Sequence, residues 1–472
     1  MNTLKEITLT VENQQLIPAD IAYHYTIIPK GIEDGVLVLY SKEEISKTIS
    51  TEELELILGF PVKIEFLEAD IINKTLSKYY RSDGKREVGS EFKLGGDFLE
   101  NLIWDAKSTG SSDIHFEMFK DTARIRFRID GKLIERYKVK KEDYAELVNK
   151  IKINSKLNIT EKRLPQDGRI NYKDFDIRVS VLPTLYGEKI VMRILGKDTS
   201  NLTIEKLGMS PDEEKIFLEA ISASKGIILI SGPTGSGKTT TLYATLKLLN
   251  KINCNILTIE DPIEYTMEGI NQVQLKEEIG LTFSRALKTF LRQDPDIIMV
   301  GEIRDEKTAQ MAIRASLTGH LVLSTIHTNS ALGTISRLID MGVPSFLIAE
   351  TLKISVAQRL VRRLCNHCKV KADIKEKNPG NLLLGKLSYH YTPSGCDHCF
   401  HTGYKDRIAI YELIPLTNTI KNIIKSGDIN SEKNLGIFKH HRLSEKALRL
   451  IKEGVTSIEE VYPILIEDKD DL

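Results

Sequence analysis

One stretch constrains the fold more than any other: Gly232-Pro233-Thr234-Gly235-Ser236-Gly237-Lys238-Thr239, which fits the phosphate-loop pattern G-x-x-x-x-G-K-[ST]. The apolar run at residues 226–231 leads into it and reads as a buried strand; Leu242, Leu246 and Leu249 follow at the spacing of one helix face. Strand, glycine loop and helix in that order turn backbone N–H groups and a helix N-terminus toward an anion. In such a loop Lys238 reaches the β- and γ-phosphates of ATP, the Thr239 hydroxyl ligates Mg²⁺, and Thr240 closes the binding segment. An ordinary glycine-rich turn has no need of Gly, Lys and Thr at every one of these places.

Further strands fit the same domain. Residues 256–261 form an apolar run ending in paired acids, Glu260 and Asp261, where α/β sheets bind ligands. Residues 297–300 are a third buried strand, followed by Gly301 and Glu302. Glu302 is placed to orient or deprotonate an attacking water, with Thr239, Glu302 and Glu260 the Mg²⁺-associated set; a capping or salt-bridged glutamate is the bland alternative. Residues 321–326 are a fourth strand, bracketed by His320 and His327, read either as γ-phosphate sensors or as structural histidines. Four strands alternating with helices predict a doubly wound parallel sheet.

The rest of the chain divides around this core. At 472 residues, a length suggesting about three domains, 41% hydrophobic content supports packed cores. Residues 1–75 read as a small docking or regulatory module, and 76–96, rich in charge, Ser and Gly, as a flexible linker. Residues 97–205 read as an α+β domain. There Arg124, Arg126 and Arg128 alternate with Ile125, Phe127 and Ile129, giving a strand with a solvated or anion-facing basic side. Arg178 and Arg193 each sit singly among β-formers, as a surface arginine or one that reaches a phosphate. The nucleotide domain runs from 206 to 364. Cys365, Cys368, Cys396 and Cys399 form two C-x-x-C knuckles in a module spanning 365–400; they suit a tetrahedral Zn²⁺, with disulfides or free thiols as the alternatives. Cys254 stands apart as a small hydrophobe, and residues 401–472 read as a mainly helical region with one strand-like run at 407–414.

Lys+Arg and Asp+Glu both number 66, so no global charge draws the chain to nucleic acid or anionic lipid. No apolar run approaches the ~20 residues that span a bilayer, and no signal peptide pattern opens the chain. A soluble cytoplasmic protein is expected.

The phosphate loop, the TIEDPIE segment at 258–264, LRQDPDIIMVGEIRD at 291–305, TGHLVLSTIHTN at 318–329 and the paired C-x-x-C together resemble the type II secretion and type IV pilus assembly ATPases. In that family these are the Walker A, Asp, Walker B and His boxes and the tetracysteine zinc module. The resemblance covers residues from about 95 to 425. It implies a RecA-like ATPase core preceded by an α+β, PAS-like domain, assembled as a homohexamer that drives pilin-like subunits into a filament. It implies that Glu302 is the catalytic glutamate, that Gly301 at the strand end is shared by the family, that Arg178 and Arg193 are arginine fingers, and that His327, with His320 nearby, links the γ-phosphate to a neighbouring domain. ATP, Mg²⁺ and Zn²⁺ are the implied cofactors. Inner-membrane platform and docking proteins are the implied partners, holding a cytoplasmic protein peripherally at the bacterial inner membrane without direct nucleic-acid contact. The tetracysteine module and the N-terminal region point to an assembly motor rather than a retraction motor. The short N-terminal module favours type II secretion over pilus extension or a DNA-uptake pseudopilus. A RecA-type nucleic-acid translocase and a non-hydrolysing nucleotide-gated scaffold are the readings from other classes.

Overall fold

The computed structural model describes residues 98–196, 202–373, 389–427 and 442–470 continuously, residues 25–33, 35–42, 60–69 and 90–91, and scattered positions among the first 76. Most of the expected linker at 76–96, the insertion between the two cysteine knuckles at 374–388, and the polar stretch after 427 lie outside the described residues. The chain divides into two compact units, Met1–Ile194 and Leu195–Leu472.

The first unit holds two sheets. β1 (Ile27–Glu33), β2 (Val36–Ser41) and β3 (Val62–Phe66) form a three-stranded sheet, with β2 antiparallel to β1 and parallel to β3. β4 (Ser90–Glu91), β5 (Ser111–Met118), β6 (Ala123–Ile129), β7 (Lys132–Val139), β8 (Gln166–Asn171), β9 (Phe175–Thr184) and β10 (Gly187–Gly196) form a second sheet in the order β4-β7-β6-β5-β10-β9-β8. Helix α1 (Phe98–Ser108) precedes β5, and α2 (Lys141–Asn154) follows β7.

The alternation along β6 is realised as a division of labour. Ile125 and Phe127 are fully buried on one face. On the other, Glu117 of β5 accepts from Arg124 Nε (2.9 Å) and Arg126 Nη2 (2.7 Å), with Lys189 Nζ at 3.4 Å. The basic face is therefore neutralised in part from within its own sheet. Burial raises the Glu117 carboxyl, but the Arg126 and Arg124 hydrogen bonds outweigh it and hold the group down at about 2. A depressed carboxylate contributes stability that is complete above its unfolded value and lost as pH falls through the folded one. The first unit is thus expected to lose stability between about pH 4.5 and 2 through this group. Glu117→Gln, which removes the charge facing three cations and leaves Arg124 with Glu135 alone, should cost on the order of 2 kcal/mol at neutral pH, between the exposed and buried ion-pair cases. Thermal melts against pH read both effects.

The second unit is a seven-stranded sheet in the order β13-β12-β14-β15-β11-β16-β19. Its strands are β11 (Gly226–Ser231), β12 (Ile256–Glu260), β13 (Asn271–Gln274), β14 (Ile297–Val300), β15 (Leu321–Ile326), β16 (Leu352–Leu364) and β19 (Tyr404–Pro415); β17 (Val370–Asp373) and β18 (Tyr389–Thr392) pair separately. The pairings from β13 to β16 are parallel, as the βα alternation predicts. β19 runs antiparallel to β16 over nearly its whole length, so the strand-like run at 407–414 joins this sheet as its last strand.

Both faces are covered, which explains the unbroken apolar runs. Ile228 and Ile230 of β11 pack with α3 (Pro211–Ile221) and α4 (Lys238–Leu249). Ile227 and Leu229 pack on the other side with α5 (Phe283–Phe290), α6 (Glu306–Leu317), α7 (Ala331–Asp340) and α8 (Ser345–Thr351). The C-terminal helices α9 (Asn418–Ser426), α10 (Leu443–Lys452) and α11 (Ile458–Asp470) join that second cluster.

Candidate functional site

The phosphate loop leaves β11 at Ser231 and enters α4 at Lys238. Gly232, Gly235 and Gly237 have φ of 143°, 80° and 89°, conformations that side chains other than glycine rarely adopt. Space is short as well: a Cβ at Gly232 would lie 2.4 Å from Gln358 O, and one at Gly237 2.7 Å from Gln358 Nε2. Gln358 belongs to β16, is 2% exposed, and accepts from Thr241 Oγ1 (2.8 Å), so the loop is braced from behind by a neighbouring strand. Pro233, Thr234, Gly235, Thr239 and Thr240 face outward, and Ser236 is buried with its hydroxyl unpartnered. Lys238 Nζ donates to Gly232 O (2.7 Å) and Pro233 O (3.0 Å), which centres a cation in the loop. Burial lowers its pKa, with Glu302 pulling it back up and Arg359 adding to the fall. Amides, helix N-terminus and a central ammonium fit a polyphosphate.

The parallel register brings the other motif residues to this edge. Ser231 is level with Ile326 of β15, so His327 follows at the phosphate-loop end. Its Nε2 lies 3.4 Å from Glu302 Oε2, while Arg304 donates to Glu302 Oε1 and sits 3.7 Å from Asp261 Oδ2. Burial pushes the Glu302 carboxyl up, but Arg304, His327 and Lys238 together hold it below its ordinary value. Gly301 has a steric reason: a Cβ there would lie 3.3 Å from Ile259 O, so the backbone closes on β12 where a side chain would stand. Glu260 is 3% exposed and accepts from Thr258 Oγ1 (2.6 Å), Gln272 Nε2 (3.1 Å) and Tyr243 Oη.

His320 does not belong with His327. It precedes Leu321, which is level with Gly226, so it lies at the opposite end of β15, a strand of six residues and about 20 Å. Its Nδ1 meets Ala315 O (2.8 Å) and Thr318 Oγ1 (3.1 Å) at the end of α6, and its carbonyl accepts from Gly226 N. The expected sensor role is corrected to a structural one. Sequence reasoning missed Arg304, Gln358 and Tyr243 as site residues. Arg304 stood in a quoted motif without a role; Gln358 and Tyr243 carried no signal beyond a polar atom in an apolar run.

Arg178 and Arg193 lie in the first unit. β9 and β10 are neighbours joined by the two-residue turn Leu185-Tyr186; six residues back from Thr184 and six on from Gly187 reach these two arginines. Their 15-residue spacing in the sequence is the spacing of opposed hairpin positions. Arg193 Nε donates to Asp113 Oδ1 (2.8 Å) with its side chain 57% exposed.

The four cysteines converge. Their Sγ atoms all lie within 4.8 Å of one another, with Cys365–Cys396, Cys368–Cys399 and Cys396–Cys399 at 3.8, 3.7 and 3.8 Å. A tetrahedron with Zn–S bonds of about 2.3 Å has edges of about 3.8 Å, so the donor set fits Zn²⁺. His367 and His398 stack on each other at 4.0 Å between ring centroids.

Residues 93–463 match the family model described as type II/IV secretion system protein. The chain belongs to this family. Among its relatives, the type IV pilus assembly ATPase PilB of Myxococcus xanthus is 37% identical, over 97% of this chain and 87% of that protein. The type II secretion system protein E of Pseudomonas aeruginosa is 40% identical, over 88% of this chain and 90% of that protein. Among solved structures, the pilus retraction motor PilT with bound ADP aligns at 26% identity and a TM-score of 0.54, covering 79% of this chain and 97% of that one. The family match thus takes in the first unit from residue 93 onward as well as nearly all of the second unit, where the site just described lies.

Proposed function

We propose that this chain is the ATP-hydrolysing motor of a type II protein secretion machine. The observation that carries the reading is the convergence of Lys238, Glu302 and His327 on one sheet edge, with Glu302 ionised by its neighbours. Lys238 binds the β- and γ-phosphates, Glu302 orients and deprotonates the attacking water, and His327 follows the γ-phosphate. Thr239, Glu302 and Glu260 would hold Mg²⁺, which supplies charge neutralisation on the phosphates. Arg178 and Arg193 act as arginine fingers in a homohexameric ring, and unchanged turnover of an assembled Arg178→Ala ring would remove that part. Cys365, Cys368, Cys396 and Cys399 hold a structural Zn²⁺. Residues 1–75 dock on an inner-membrane platform, 76–96 link them to a PAS-like domain at 97–205, and the protein works peripherally on the cytoplasmic face without binding nucleic acid.

Type IV pilus extension is the second reading, favoured by the pilus ATPase match along 97% of the chain. A pull-down from detergent-solubilised inner membrane with a Glu302→Gln chain and ATP, read by mass spectrometry, separates them. Recovery of a secretion platform supports the first, recovery of pilus-assembly proteins the second, and recovery of DNA-processing proteins alone contradicts both.

A further inference from the structure

Tyr243 lies on α4 five residues after Lys238, and its side chain is 1% exposed. Its hydroxyl donates to Glu260 Oε2 and accepts from the backbone N–H of Glu264 (3.3 Å), with that of Tyr265 at 3.5 Å. Its ring meets Tyr265 edge-on, 5.5 Å between centroids. Burial, then the charge of Glu260, raises the phenol well above its ordinary value, which keeps it a donor. The second oxygen of Glu260 is held by Thr258 of β12 itself and by Gln272 of β13. Gln272 also donates to Tyr265 O (2.9 Å) and accepts from Met267 N (2.7 Å), so the turn after β12 is fastened from the same side. That turn carries Asp261, which faces Arg304, the residue that holds Glu302.

The phosphate-loop helix and the acidic turn thus share one hydroxyl. A phenylalanine would fill the same space and pack the same ring contact, so burial alone does not account for an oxygen here. We propose that Tyr243 is a positioning residue for ATP hydrolysis, aiming the Glu260 carboxylate and tying α4 to the turn at 261–265. The proposal rests on the ATPase reading above and acts through Glu260, a group whose neighbours commonly set activity by about 10–100-fold at metal-associated sites.

The test is steady-state ATP hydrolysis by the full chain with Mg²⁺. Tyr243→Phe is expected to lower kcat about tenfold and to leave KM for ATP within about twofold, since the loop that binds phosphate is untouched. In a Glu260→Gln background the same substitution should add less than about twofold, because its route of action is already gone. Wild-type kcat in Tyr243→Phe, or an undiminished effect in the Glu260→Gln background, would overturn the proposal. Should Tyr243→Phe fail to fold, Thr258→Val decides: it removes a donor from the same carboxylate without touching α4, and an unchanged kcat there overturns the role of the network. Absence of turnover in the unaltered chain would overturn the ATPase reading itself, and it is seen before any substitution is made.

Discussion

Glu302→Gln lowers kcat for ATP hydrolysis by about 10²–10⁴-fold and leaves nucleotide affinity within a few-fold, the expected result for losing a general base of unchanged shape. The amide keeps the size of the carboxyl group but cannot take a proton from water. Binding should be spared, because the proposed holders of the phosphates are the loop amides and Lys238, which Glu302 touches only through its charge. The pH dependence follows from Arg304. Its hydrogen bond and charge oppose burial and keep Glu302 ionised below the usual carboxylate range, so the acid limb of kcat should lie below that range. In Arg304→Ala the burial effect is left with less opposition, the carboxyl rises, and the limb moves to higher pH. Phosphate release measured against pH in the unaltered chain and both variants checks the set. A Glu302→Gln chain with unchanged turnover would take the water-activating role away from this residue.

Cys365→Ser should have the largest effect on stability. Structural zinc sites in small peptides hold on the order of 10–16 kcal/mol of apparent binding energy, which is folding energy for the segment that supplies the ligands. Zinc content should fall from one per chain, and the melting transition of the second unit should drop. The knuckle is remote from the phosphate loop in sequence, but the structure ties them. β16 ends at Leu364, immediately before Cys365, and the same strand pairs with β11 and presents Gln358 to Gly232 and Gly237. β19 begins at Tyr404, just after Cys399, and pairs with β16 along its length. Loosening the cysteine end is therefore expected to lower ATP turnover as well. Metal analysis, a thermal melt and a turnover measurement on one preparation check this; a zinc-free chain with unaltered melting and turnover would contradict a structural role.

The phosphate loop and strands β11, β12, β14 and β15 were legible because their physics is local. A strand buried on both faces must be apolar throughout, and a loop that wraps phosphate must have glycine where φ is positive. β16 was hidden by its own polar residues. Gln358, Arg359 and Arg362 interrupt its apolar pattern, yet all three are buried: Arg359 donates to Asn329 O (2.8 Å), and Arg362 pairs with Glu460 and lies over the Tyr404 ring at 3.7 Å. Their partners are distant in sequence, so no window of residues around them carries the signal. His320 failed for a different reason. Two histidines bracketing a strand look equivalent in one dimension, whereas a parallel sheet sends them to opposite edges. The cysteine spacing announced a four-sulfur site, and only the fold could show that it fastens the end of a core strand.

The place of β11 in the sheet also bears on how the chain is made. Its two neighbours are β15 and β16, and Ser231 of β11 bonds to Val356, 125 residues further on. A ribosome adding about 5–20 residues per second needs on the order of ten seconds to deliver that partner. Until β15 is made the run Gly226–Ser231 has neither of its neighbouring strands, and until β16 follows it lacks the second, although every residue in it is destined for burial. The strand that leads into the phosphate loop is thus one that waits as an exposed apolar ribbon during synthesis, a stretch a chaperone would have reason to cover.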